Sequence, residues 1–310
     1  MNIDARFPTK LGAIQEAPES LRKALLEKLP ANESIRFLVH APVFSTADEL
    51  SSATVLAVTS DGWLVASETE DGVVSVENSN FRDTLFVELT SILLWGQLKI
   101  HFVTAGKSDI AILRFDTVGE ELYRDAIDLM LDGIDQTLAP SLEVESDRGS
   151  ALISKSWPVH FRNEAERYQP KGQRLLAATQ WPAVIGGFRR ELSPACALLV
   201  TEREFVLIAE EKASPRQHAG DEHHFGGIIT YIPIAQLRDF QLSQHERFDV
   251  LAFQVHAMHG GEELQIIFPA DHERAVSEIM KQVFAHKGLL RHDETAERQP
   301  TLSEPSLRPV

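Results

Sequence analysis

Apolar and polar positions alternate in short runs along the first half of the chain, and a second series of such runs follows along the second half. Each series ends in a stripe of helical spacing. A two-residue period marks a half-buried strand, and apolar positions three and four apart mark a helix face. On that basis strands are expected near residues 34–42, 54–59, 62–68, 72–77, 84–89, 97–104 and 109–115. Asp61-Gly62 between two apolar runs is a hairpin signal, and Asp71-Gly72 is a second turn of the same kind. Thr117 and Glu120 have capping-box spacing and open a helix to about residue 134. Its stripe comprises Leu122, Tyr123, Ala126, Ile127, Met130, Leu131 and Ile134. In the second half strands are expected near 173–180, 196–201, 204–210, 227–234, 250–257 and 262–268, with a helix over 271–286. A short helix over 20–29 precedes everything and stops at Pro30.

The two series correspond residue by residue. Phe115 and Phe268, Leu122 and Ala275, Ile127 and Met280, and Leu131 and Phe284 each stand 153 positions apart. Thr59 and Thr201 stand 142 apart, and matching Val87 to Ile232 gives 145. The drift predicts that loops grew in the second copy, chiefly between Ile234 and Phe268. The expected organisation is an N-terminal segment with a short helix (1–30), a first domain (31–136), a polar linker (137–170), a second domain (171–288) and a charged, disordered tail (289–310).

Glu33-Ser34-Ile35, the Ala57–Val65 hairpin, Val87-Glu88-Leu89, Leu98-Lys99-Ile100 and Ile112–Phe115 with its helix resemble, in order and spacing, a pleckstrin-homology-like domain of the bacterial or GRAM type. Gln173-Arg174-Leu175, Val200-Thr201 to Leu207, Tyr231–Ile234 and Phe268 with its helix carry the same resemblance in the second half. It implies a mainly β, α+β protein of two tandem antiparallel barrels, each closed by a C-terminal amphipathic helix. It further implies a binding platform that uses loops at the open barrel end, or the groove beside the helix.

Charge narrows the partners. The chain carries a net −16, and residues 1–150 hold 12 Lys and Arg against 25 Asp and Glu. Such a surface repels phosphate backbones and anionic headgroups, which disfavours nucleic acid and leaves a lipid surface unfavoured. No apolar run approaches bilayer length, so no integral membrane association is expected. The N-terminus lacks secretory character and the single cysteine, Cys196, has no internal partner, so a cytoplasmic protein is expected.

The candidate chemistry is that of binding. Glu121, Asp125, Asp128, Asp132 and Asp135 fall on one helix face away from the apolar stripe, a strip suited to a protein partner with a basic surface. Arg189 and Arg190, beside Gly186-Gly187, are the candidates for a phospholipid or phosphate ligand. His218, His223 and His224 share a loop with Asp221 and Glu222, which frames a metal-dependent enzyme as a third reading. Cys196, ahead of an apolar strand, reads as an inert buried thiol. Leu94 and Trp95, within Ile92-Leu93-Leu94-Trp95, are expected at an inter-domain contact, because consecutive large apolar residues cannot all face one side of a strand. No phosphate-cradling loop, dinucleotide fingerprint, zinc-protease motif or nucleophile elbow is present. The expectation is therefore a non-enzymatic adaptor without cofactor.

Overall fold

The computed structural model describes residues 6–44, 51–69, 71–138, 153–187, 190–211 and 226–286. It is mainly β with helices, built from several antiparallel sheets. After β1 (Thr9–Lys10) comes α1 (Glu19–Lys28), then β2 (Ile35–Ala41), β3 (Ala53–Thr59), β4 (Gly62–Glu68) and β5 (Val74–Asn80). A 3-10 turn at Phe81–Asp83 leads into β6 (Thr84–Ile92), β7 (Trp95–Thr104) and β8 (Lys107–Asp116). A second turn at Thr117–Gly119 opens α2 (Glu120–Leu138).

The order then recurs. It runs through α3 (Val159–Tyr168), β9 (Leu175–Trp181), a small hairpin of β10 (Val184–Ile185) and β11 (Glu191–Ser193), then β12 (Cys196–Thr201), β13 (Glu204–Glu211) and β14 (Gly226–Pro233). A turn at Ile234–Gln236 gives β15 (Leu237–Gln244), β16 (Phe248–Ala257) and β17 (Gly260–Pro269). A last turn at Ala270–His272 opens α4 (Glu273–His286). With β1 and the β10–β11 hairpin set aside as additions, each unit is a leading helix, four strands, a turn, three strands, a turn and a closing helix.

The correspondence differs from the sequence reading in where the loops grew. Pro18 and Pro158, at the heads of α1 and α3, stand 140 apart, and so do Ile35 and Leu175 at the starts of β2 and β9. Thr59 and Thr201 stand 142 apart, whereas Phe81 and Ile234, Thr84 and Leu237, and Glu120 and Glu273 all stand 153 apart. The growth therefore lies in the connection from β13 to β14, not between Ile234 and Phe268. Val87 answers to Phe240 rather than to Ile232, because β15 is the counterpart of β6.

No sheet closes on itself among the described residues, so the expected closed barrels are replaced by open sheets. A five-stranded sheet runs β1-β2-β3-β4-β5 and a three-stranded sheet β15-β16-β17. Between them lies a seven-stranded sheet in the order β8-β7-β6-β14-β13-β12-β9. Its middle is an antiparallel seam joining the units, with Val87 opposite Tyr231, Leu89 opposite Ile229 and Ile92 opposite Gly226.

The seam interlocks the cores. Because side chains alternate across a sheet, Val87, Leu89, Ile229, Tyr231, Val206 and Leu199 share one buried cluster. Tyr123, Ile127 and Met130 of α2 and Phe161, Ala165 and Tyr168 of α3 cover it. The opposite face packs Leu85, Phe86 and Val103 of the first unit with Leu198, Phe205, Phe253 and the stripe of α4. Leu21 and Leu25 of α1 cover the outside of the five-stranded sheet. The segment expected as linker (137–170) thus carries α3, a packed helix equivalent to α1. Residues 139–152 of it, and the tail from 287, lie outside the described residues. No helix of the described residues is long and apolar enough to cross a membrane.

Candidate functional site

The acidic strip and its surroundings form the candidate site. Asp116 caps the turn before α2 by accepting from the Val118 N–H at 2.9 Å. Glu120 and Glu121 in the first turn suit the positive end of the helix dipole. With the apolar stripe buried on the sheets, the opposite face of α2 turns toward the second unit. Lys171 Nζ lies 2.5 Å from Asp125 Oδ1 and 3.4 Å from Glu121 Oε1. Arg203 reaches Asp132 at 2.8 Å and Asp135 at 3.4 Å, and Arg167 reaches Glu120 at 2.8 Å. Arg124 donates to the Arg167 carbonyl and pairs with Glu121 at 3.0 Å. The basic partner predicted for the strip is therefore in large part the chain's own second unit. The sequence pattern exposes the strip but not its partner, because Lys171 and Arg203 are isolated in sequence.

Asp128 stands apart from these pairs. It accepts from the Lys171 backbone N–H, yet burial pushes its carboxyl up to about 6, against the pull of Lys171 and Arg124. It lines a cleft of about 290 Å³ with Asp125 and Asp132 of α2, Lys171 and Gln173 of the second unit, and Phe37 of β2. Lys10 of β1 closes one side, its ammonium 4.7 Å from the centre of the Phe37 ring. The cleft combines carboxylates, two ammonium groups and one aromatic wall, a set that recognises a charged side chain. Sequence reasoning had no signal for Lys10, Phe37 or Gln173, which share no local pattern with α2.

Behind Gln173 lies a buried polar knot. Thr201 Oγ1 is 2.6 Å from Gln173 Oε1 and 3.0 Å from Glu204 Oε2, and it accepts from the Glu204 backbone N–H at 3.0 Å. One hydroxyl proton cannot serve both acceptors. A protonated Glu204 resolves the conflict by donating to Thr201, which then donates to Gln173. Burial accordingly pushes the Glu204 carboxyl up to about 7, against the Thr201 and Gln173 bonds and Arg203. In the first unit the equivalent contact is Thr59 Oγ1 donating to Glu33 at 2.5 Å.

The remaining candidates are placed as follows. Arg190 is exposed, in the turn between β10 and β11, where its N–H donates to the Gly187 carbonyl at 3.2 Å; Arg189 lies outside the described residues. The histidine loop, His218 with His223 and His224, also lies outside them. Among the described residues no group of three or more His, Cys, Asp or Glu is placed to hold a metal ion. Cys196 is buried, and burial pushes its thiol up to about 12, far from a nucleophile's range. Leu94 is 67% exposed at the tip of the β6–β7 hairpin, and Trp95 is half-buried. In the same run, Ile92 at the end of β6 lies in the seam between the units, opposite Gly226.

One further cluster has no counterpart in the sequence reading. His160 Nε2 lies 2.5 Å from Glu210 Oε1, and burial together with Glu210 pushes Glu164 up to about 7. No known family model matches the chain, and no curated protein matches it.

Proposed function

We propose that the protein is a non-enzymatic adaptor of two tandem pleckstrin-homology-like units. The four-plus-three strand arrangement with a closing helix, present twice, supports the fold reading. The units act as one body, since β6 and β14 share a sheet and both cores cross the seam. Recognition uses the cleft beside α2, where a partner's Arg or Lys side chain enters among Asp125, Asp128 and Asp132 with its stem against Phe37. The observation that carries this reading is Asp128, a carboxylate facing a cleft while the rest of the strip is engaged by Lys171 and Arg203. The lone, inert thiol of Cys196 suits the reducing cytoplasm to which the reading assigns the protein.

The test is binding of fluorescent Arg- and Lys-containing peptides to the full chain, with acidic peptides as control. Basic peptides should bind, more weakly as salt rises, and Asp128→Lys should abolish binding while leaving the melting transition in place. Equal binding of acidic and basic peptides, or undiminished binding by a folded Asp128→Lys, overturns the reading.

A further inference from the structure

We propose that copies of this chain join head to tail by repeating, between molecules, the strand pairing that joins their two units. The internal seam sets Val87–Ile92 of β6 against Gly226–Tyr231 of β14. Adding the 153-position offset to the first edge gives residues 240–245, along β15. Subtracting it from the second gives 73–78, along β5. β15 is the last strand of the three-stranded sheet and β5 the last of the five-stranded sheet. Among the described residues neither has a strand on its outer side. Every molecule therefore presents one edge of each kind that its own fold has already joined once.

The side chains along these edges permit the same register. Transferring the seam sets Val76 against Leu242, Glu77 against Gln241 and Asn78 against Phe240, with no like charges opposed. Neither edge carries the proline or lysine that usually blocks edge-to-edge pairing. The partner is a second copy because the complementary edge is present in the same molecule.

Charge makes the outer seam weaker than the inner one. The inner seam is locked by Arg167 on Glu120 and Lys171 on Asp125. The equivalent positions of two copies hold Glu27 with Glu273 and Ala31 with Glu278, so one pair repels and the other is lost. With a net charge of −16 on each chain, salt should promote the contact by screening. Two different edges meet, so the interface is heterologous and builds a filament, or a ring where the rotation closes.

Sedimentation velocity of the full chain over a concentration series, at low and high salt, tests this. Average mass should rise with concentration and with salt. Alternate N–H groups of an edge strand point outward, so proline at one of two neighbouring positions spares the inner bonds. Ser75→Pro or Val76→Pro blocks one edge and Leu242→Pro or Ser243→Pro the other, the variant retaining its melting transition being used. Each blocked protein alone should lose every species above monomer, and an equimolar mixture should form pairs and nothing larger. Should every proline variant unfold, a free peptide of residues 237–245 added to wild-type protein should shorten the assemblies. A wild type that stays monomeric throughout overturns the proposal. So does a singly blocked variant that still self-associates, or an assembly that the peptide leaves unchanged.

Discussion

Replacing Glu204 by glutamine should stabilise the protein, and more so the higher the pH. The side chain is 1% exposed, and its carboxyl is pushed from its ordinary 4.5 to about 7. Each pKa unit corresponds to about 1.4 kcal/mol, so ionising Glu204 in place costs about 3 kcal/mol. Between those two values the folded state holds a proton that the unfolded state has released. Stability is thus complete below the unfolded value, falls as pH rises through the folded one, and stays reduced above it. Glutamine keeps the shape and supplies a permanent donor to Thr201, which leaves the threonine proton for Gln173. Denaturant unfolding of wild type and Glu204→Gln should therefore differ by about 3 kcal/mol near about pH 8 and by less than about 1 kcal/mol near about pH 5. A thermal midpoint about 6 °C higher at the upper pH is the matching calorimetric result. A Glu204→Gln protein less stable than wild type at the upper pH, or a difference independent of pH, refutes the reasoning.

Three further outcomes follow from the packing. A Cβ at Gly133 in α2 would lie 2.3 Å from the Phe81 ring, so Gly133→Ala should destabilise by about 1–3 kcal/mol despite alanine's better helix propensity, as measured by urea unfolding. Leu89→Ala, in the seam, should cost about 2–5 kcal/mol, whereas Leu94→Lys at the exposed hairpin tip should stay within about 0.5 kcal/mol of wild type; both are read from thermal melts. Arg203→Ala should cost about 1 kcal/mol, because Asp132 and Asp135 lose a half-exposed cation, and the loss should shrink in a salt series.

The parts legible in the sequence are those that side-chain period reports. Tyr123, Ala126, Ile127, Met130, Leu131 and Ile134, read as one stripe, are all buried. The strand runs around Val58, Leu64 and Val200 are buried on both faces, so they stand out as apolar blocks. β15 left no such trace because only Leu237 is fully buried and its remaining positions are exposed or half-exposed. α3 buries three residues, Phe161, Ala165 and Tyr168, among charged neighbours, and two of the three are types that also occur at surfaces. The seam was illegible for a different reason. It is made by backbone groups, and backbone pairing between distant edges has no sequence period. The candidate site was half legible: the carboxylates share a helical face, but the residues that satisfy them come from three other segments.

The two copies of one polar contact show how the junction shaped the second unit. In the first unit the partner of Thr59 is a carboxylate, Glu33, in a half-exposed loop. In the second the partner of Thr201 is the amide of Gln173. A carboxylate at 173 would add a fourth negative charge to a cleft already lined by Asp125, Asp128 and Asp132, and the amide keeps the hydrogen bond without that repulsion. The acid of this knot sits instead at Glu204, where the first unit has Gly62. Gly62 cannot change in the same way, because a Cβ there would lie 2.2 Å from the Ser79 carbonyl oxygen of β5. The turn leading into β13 has room for a side chain, and the one it holds is a buried acid beside Arg203. That same Arg203 secures the end of α2 through Asp132 and Asp135. Glu204, whose carboxyl burial pushes up to about 7, therefore adjoins the ion pairs that Arg203 makes to α2, so its ionisation bears on the junction rather than on one unit alone.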